Sequence, residues 1–392
     1  MAAWLGYDHA LGEQMQMTYK AAARLSRIAT VASLAICLAA ALTAQENQNS
    51  SGSWKFAVSG DSRNCGDIVM PAIAAGVLSD GAALYWHLGD FRAISKIDED
   101  YRRTHPQATM PQYLADAWPD FIQHQLVPFG NLPVFLSIGN HELVAPMTRT
   151  QYVAQFADWL DQPMLRQQRL EDSPNDHQVT TYYHWSDRGI DFITMDNASA
   201  EMFDPAEMTW FKMVLANDAK NSAIRTVVLG MHAALPDSSS AGHSMNSSVR
   251  GQSSGREVYA ELSAFRKTTK KNVYVLASHS HFVMNDAYNT ACHKGDVLPG
   301  WIMGSAGAVR YRLPADRALS TIDKTDVYGY LLATVAPDGS ITFQFREVKQ
   351  SDIPASVVNQ FSLDQVKWCF EQNKSDYTPE GPTCDAGSTS GR

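Results

Sequence analysis

Seven apolar runs of strand length recur between Trp54 and Met303, and they limit the fold more tightly than any other feature of the chain. They are KFAVS, ALYWHL (Ala83 to Leu88), PVFLSI (Pro133 to Ile138), DFITM (Asp191 to Met195), RTVVLGM (Arg225 to Met231), NVYVLA (Asn272 to Ala277) and WIM (Trp301 to Met303). Continuous rather than alternating apolar residues mark strands covered on both faces, so helices must lie outside the sheets. Helical segments separate the runs. DPAEMTWFKMVLAND starts with Asp204 as N-cap, Pro205 at the first position and Glu207 three beyond the cap. PQYLADAWPDFIQHQLVPF and GREVYAELSAFRKT are two more. VYGYLLATV and SITFQFREV flank Ala336-Pro337-Asp338-Gly339 and read as an antiparallel hairpin. The serine-rich stretch from Asp237 to Gly255 is too long for a tight turn and reads as a mobile loop or a lid.

Before the first run, Lys20, Arg24 and Arg27 precede an apolar stretch from Ile28 to Leu42, followed by the small residues Thr43 and Ala44. That pattern predicts a signal peptide over residues 1–44, with translation starting at Met15 or Met17 as an alternative. The apolar part falls short of the ~20 residues that span a bilayer, so no stable membrane span is expected once it is removed. An uncleaved N-terminal anchor is the competing reading. Export to the periplasm or the extracellular space follows. The remaining chain keeps 29 basic and 39 acidic residues, a balance that argues against nucleic acid as a partner. The exported part holds Cys65, Cys292, Cys369 and Cys384, an even count that predicts disulfides in an oxidising compartment. Of three possible pairings, Cys369–Cys384 with Cys65–Cys292 is the expected one; a free or metal-binding thiolate at Cys65 stays open. Residues 45–350 are expected to form the main domain and 351–392 an irregular tail.

The residues that follow the strands carry the chemistry. The first run ends in Gly60-Asp61, the second in GDFR (Gly89 to Arg92), the third in GNHE (Gly139 to Glu142). The fifth ends in GMH, with His232, and the sixth in SHSH (Ser278 to His281). Side chains at strand carboxyl ends of a layered α/β fold meet at one rim. Carboxylate, amide and imidazole donors together suit Mn, Fe or Zn better than Ca²⁺ or Cu⁺. Six donors exceed the needs of one tetrahedral ion and match two ions sharing a carboxylate.

In this order the motifs resemble those of the calcineurin-like metallophosphoesterases. The resemblance runs from Phe56 to His281, and the closing strands agree with it to about Val348. It implies a four-layer αββα sandwich, with two mixed β-sheets flanked by helices, and hydrolysis of a small phosphorylated substrate by metal-bound hydroxide. Asp61, Asp90 and His281 would hold the first metal; Asp90, as a bridge, with Asn140, His232 and His279 would hold the second. His141 would stabilise or protonate the leaving group. This chain departs from the pattern at Arg63, where the family has the His of Asp-x-His, and at Ser278, where it has Gly. Purple acid phosphatases, a branch of the superfamily, supply a Tyr at the position of Ala93. The first metal is thus short of a protein ligand, which Asn64, Cys65 or water could supply, or the centre holds only one ion. Arg63 and Arg92 are expected to contact phosphate oxygens; the plainer reading of Arg63 is an ion pair with Asp67 or Glu142. The alternative function is a one-metal or non-catalytic binding protein on the same scaffold. A Ser/His/Asp hydrolase is a poor third reading, since GHSMN around Ser244 lacks the second Gly of a nucleophile elbow and no partner Asp stands out.

Overall fold

A computed structural model describes residues 52–384, apart from 200 and 316–319. The expected signal peptide, with its alternative starts, lies outside the described residues. Every apolar run of the sequence becomes a strand, though ALYWHL, PVFLSI and RTVVLGM are trimmed at both ends and DFITM is shifted by one residue. The first sheet has the order β11-β10-β1-β2-β3. Its parallel half is β1 (Trp54–Ser59), β2 (Tyr85–His87) and β3 (Val134–Leu136); the antiparallel half is the hairpin of β10 (Tyr328–Val335) and β11 (Ile341–Val348). The second sheet has the order β4-β5-β6-β7-β9-β8. Here β5 (Ile190–Thr194), β6 (Thr226–Gly230), β7 (Asn272–Ala277) and β9 (Gly300–Met303) run parallel. The edges β4 (Tyr183–Asp187) and β8 (Val283–Met284) run antiparallel to their neighbours.

Two mixed sheets flanked by helices follow from the burial pattern. Between the sheets lies an aromatic layer: Phe135 stacks on Trp185 at 3.8 Å, and Phe56 meets Phe192 edge-on at 5.0 Å. Alternate residues of the same strands face outward. Val228 joins the inter-sheet core, whereas Val227 and Leu229 pack under Phe211 and Leu262 of the helices Pro205–Lys220 and Val249–Thr269. The helix Gly66–Ser79 covers the first sheet.

Three expectations need correction. The tail is not irregular throughout: helices form over Ala355–Phe361 and Leu363–Glu371, the second capped by the Ser362 hydroxyl, which accepts from Gln365 N, while residues 375–384 form no helix or strand and 385–392 lie outside the described residues. Buried Arg310 satisfies that helix's far end by donating to the carbonyls of Cys369 and Phe370, both at 2.9 Å. The disulfides are Cys65–Cys369 and Cys292–Cys384, with Cα atoms 6.0 and 5.2 Å apart. Packing of the tail helix beside the β1 turn decides the first pairing, and nearness in sequence does not. The serine-rich stretch is no loose lid. Ser238, Ser240 and Ser244 are buried, Ser240 Oγ bonds Ser280 Oγ at 2.7 Å, and Ser248 caps the helix beginning at Val249 by accepting from Gly251 N.

The edge strand β4 carries a charged buried triad that its apolar neighbours do not. His184 donates from Nε2 to Asp172 at 2.6 Å and from Nδ1 to Asp191 at 2.9 Å. Burial pulls the imidazolium pKa down, yet Asp191 and Asp172 outweigh it and lift the value to about 10. With the folded value above the ordinary 6.5, the stabilising contribution is complete below about pH 6.5 and lost as pH rises towards 10. Asp218, pushed up to about 9 by burial and by Asp191, adds to the same decline as it ionises. His184→Gln is therefore expected to give a shallower loss of urea stability between about pH 7 and 10 than the parent; parallel curves would contradict this.

Candidate metal centre

Five parallel strands from both sheets end at one rim. Asp61 follows β1, Asp90 follows β2, and Asn140 and His141 follow β3. From the other sheet, His232 follows β6, and His279 and His281 follow β7. The chain turns hard there: Asp61, Asp90 and His279 have φ of 59°, 61° and 65°. Such left-handed conformations cost a non-glycine residue about 1–3 kcal/mol and survive where the surroundings fix them. The fixing bonds are present, since His279 N donates to Asp61 Oδ2 at 2.7 Å and His141 N to Asp90 Oδ1 at 2.9 Å. Buried Glu142 accepts from the amides of Asp90, Phe91 and Gly139 at 2.8–2.9 Å, locking the β2 and β3 turns together. Burial, with Asp90 nearby, pushes its carboxyl up to about 7. A Cβ at Gly139 would lie 2.4 Å from both the amide nitrogen and Oδ1 of Asp90, so only glycine allows this approach.

Four donors point at one spot. His232 Nε2 lies 3.0 Å from Asn140 Oδ1, 2.9 Å from His279 Nδ1 and 3.3 Å from Asp90 Oδ1. His232 Nδ1 donates to Leu88 O at 2.9 Å, which orients Nε2 towards the cluster. Behind it, His279 Nε2 lies 3.6 Å from Glu201. Burial pulls the His232 pKa down, but Asp90 and Asp61 reverse this and raise it to about 9. The cluster thus favours a positive charge at that spot. Asp61 and Asp90 are fully buried, and Asp90 is held below the usual carboxylate range: burial raises it, and His232 more than offsets this. Asp61 Oδ1 and Asp90 Oδ2 have no hydrogen-bond partner. Both face the neighbouring position, where His281 lies beside Asp61 and Arg63 beside Asp90. Asp90 Oδ1, Asn140 Oδ1, His232 Nε2 and His279 Nδ1, one carboxylate, one amide and two imidazole donors facing one another, fit a divalent metal.

The neighbouring position is built differently. His281 Nε2 lies 3.2 Å from Asp61 Oδ1, and His281 Nδ1 donates to Val309 O at 2.6 Å. Arg63 enters here: Nη2 donates to His281 Nε2 at 3.0 Å, Nη1 bonds His141 Nε2, and Nε lies 3.7 Å from Asp90 Oδ2. It pairs with neither Asp67 nor Glu142. His141 Nδ1 donates to Ala93 O at 2.5 Å, leaving Nε2 to face the site, and burial lowers its pKa, with Arg63 adding to the effect. Neither candidate substitute ligand is bonded to the cluster. Cys65 is in its disulfide, and Asn64 Nδ2 donates to Asn373 Oδ1 at 3.0 Å.

Arg92 does not join the cluster. The left-handed turn at Asp90 sends it beneath the site, where it bonds Asp67 at 2.6 Å, Asp100 at 3.3 Å and Asp120. Its guanidinium thereby occupies a second acidic grouping, Asp67 with Asp120 and His124. Sequence reasoning missed His243, whose ring lies 3.9 Å from His279 at an interplanar angle of 2°. Burial and His281 push its pKa down to about 4, and Nε2 is buried without a partner. Tyr311 stacks on His281 at 4.1 Å. A Gly-His pair inside the serine-rich stretch was the available signal.

No protein-family model matches the chain, and no curated protein matches it in sequence. Among solved structures it is similar to PhoD, with a TM-score of 0.47 and 13% identity over 82% of this chain and 77% of that one. A metallophosphoesterase from Sphaerobacter thermophilus gives a TM-score of 0.26 and 12% identity over 79% of this chain and 99% of that one. A dimetal phosphatase from Danio rerio gives a TM-score of 0.48 and 10% identity over 76% of this chain and 97% of that one.

Proposed function

We propose that this protein is an exported, metal-dependent phosphoesterase acting on a small phosphate ester. The reading rests on one observation: oxygen and nitrogen donors of Asp61, Asp90, Asn140, His232, His279 and His281, from five strands of two sheets, converge within a buried cluster. Asp90, Asn140, His232 and His279 would hold a divalent cation, which when bound polarises a phosphoryl oxygen and lowers the pKa of water. The chain's own groups do the rest. Arg63 presents a planar, permanently charged fork that suits two phosphate oxygens. When the phosphate draws it away from His141, Nε2 of that ring faces the leaving oxygen and, once it has taken a proton from solvent, would deliver that proton to it. Leu88 O and Ala93 O hold His232 and His141 in the required orientation. His243 and Tyr311 wall the cluster and limit water around the reacting group. Export accords with the two disulfides. Among the described residues no helix is long and apolar enough to cross a membrane.

The test is hydrolysis of an aryl phosphate ester by purified protein before and after metal removal. Chelation is expected to abolish turnover and Mn²⁺ or Zn²⁺ to restore it. Metal binding without hydrolysis would instead favour the binding-protein reading, and turnover indifferent to chelation would overturn the metal-dependent one.

A further inference from the structure

We infer that the centre takes a single divalent cation, and that the Arg63 guanidinium stands where a dinuclear site would place its second ion. The inference rests on the metal-dependent reading and specifies it further. The donors divide into two unequal sets. On one side Asp90 Oδ1, Asn140 Oδ1, His232 Nε2 and His279 Nδ1 face one another with no protein cation between them. On the other side the atoms left for a second ion are Asp61 Oδ1, Asp90 Oδ2 and His281 Nε2.

The last of these is already used. An imidazole nitrogen has one lone pair in the ring plane, and it serves either a donated hydrogen or a metal. His281 Nδ1 carries its hydrogen to Val309 O, so Nε2 holds the lone pair, and Arg63 Nη2 donates to it at 3.0 Å. Arg63 also bonds His141 Nε2, the next nitrogen along the same wall. Asp90 Oδ2, the oxygen a bridging carboxylate would turn to the second ion, instead lies 3.7 Å from Arg63 Nε. Losing the His281 lone pair leaves two carboxylate oxygens, too few for a stable site, and an ion there would adjoin a fixed positive charge in a buried setting.

Arg63 belongs to the cluster and is not a surface group. Its side chain is 15% exposed, and the Asp90 and Asp61 carboxylates outweigh the penalty of its burial. The guanidinium thus supplies, permanently and without a titration, part of the positive charge that a second ion would bring to the phosphoryl oxygens.

The test is metal stoichiometry by elemental analysis together with Mn²⁺ electron paramagnetic resonance, on full-length protein reconstituted with excess Mn²⁺ and desalted. About one equivalent and an isolated-ion spectrum are expected. Arg63→His restores an Asp-x-His pattern and is expected to raise the content to about two equivalents with an exchange-coupled spectrum. Two equivalents with coupling in the parent protein would overturn the inference while leaving the metal-dependent reading intact. No bound metal in the parent would overturn both. One equivalent in a folded Arg63→His variant would show that Arg63 is not what excludes the second ion. Should that variant fail to fold, the parent count alone decides between one ion and two.

Discussion

His141→Ala is expected to keep its bound metal and to lose about 10²–10⁴ in turnover, the range for removing a positioned general acid. Metal content should survive because His141 contributes to the cluster only through its amide, which donates to Asp90 Oδ1 whatever the side chain. The four facing donors are untouched. The side chain, by contrast, is fixed at Nδ1 by Ala93 O and presents Nε2 beside Arg63, where a phosphate bound to the guanidinium would place its leaving oxygen. A comparison of two esters separates this role from a merely structural one. An aryl ester with an acidic leaving group needs little protonation, so its hydrolysis should fall much less than that of an alkyl ester. If His141 only props Arg63 in place, both esters should slow by the same factor, and the leaving-group role would be withdrawn.

The parts of this centre that were legible in the sequence share a physical cause. A strand buried on both faces must be apolar throughout, so Gly60-Asp61 or Gly139-Asn140-His141 stands out against the run before it. Parallel strands of a covered sheet end at one rim, so polar residues after each run belong together without any pairing information. What was not legible depends on contacts between distant segments. Edge strands β4 and β8 escape the pattern because one is polar and partly exposed and the other spans only Val283–Met284. The disulfide partners are set by where the helix Leu363–Glu371 packs. His243 reaches the cluster from a segment that read as a mobile loop or a lid, but in which Ser238, Ser240 and Ser244 are buried. Arg92, two residues from a ligand candidate, looked like a substrate contact because sequence nearness says nothing of direction once the backbone passes through φ of 61° at Asp90.

Arg92 instead leads to the second large expected effect. It is fully buried with Asp67, Asp98 and Asp100 around it and Asp120 at the margin. These carboxylates also hold the backbone under the metal cluster. Asp98 accepts from Asn64 N at 2.8 Å and from Ala93 N at 3.0 Å, tying the turn that carries Asp61 and Arg63 to the turn that carries Asp90. Asp100 accepts from Asp67 N at 2.9 Å at the start of the helix Gly66–Ser79. Arg92→Leu strips the guanidinium from this group and leaves the carboxylates buried. Removing one partner of a buried ion pair costs about 3–5 kcal/mol, a large share of the roughly 5–15 kcal/mol that holds a typical domain together. The pH dependence has a definite sign. Burial already raises Asp67 to about 6 even beside Arg92, and raises Asp100 well above its usual value with help from Asp67. Without the arginine both should rise further. Carboxyls whose folded pKa exceeds the unfolded one destabilise progressively as pH climbs from the unfolded value to the folded one. The gap in urea stability between parent and variant should therefore widen as pH rises from about 5 through neutral. Metal affinity should fall with it, since Asp98, which ties the two turns above, loses its buried cation. A variant within about 1 kcal/mol of the parent at neutral pH, well inside that expected range, would mean that the aspartates take up protons or water freely and that the guanidinium is not their anchor.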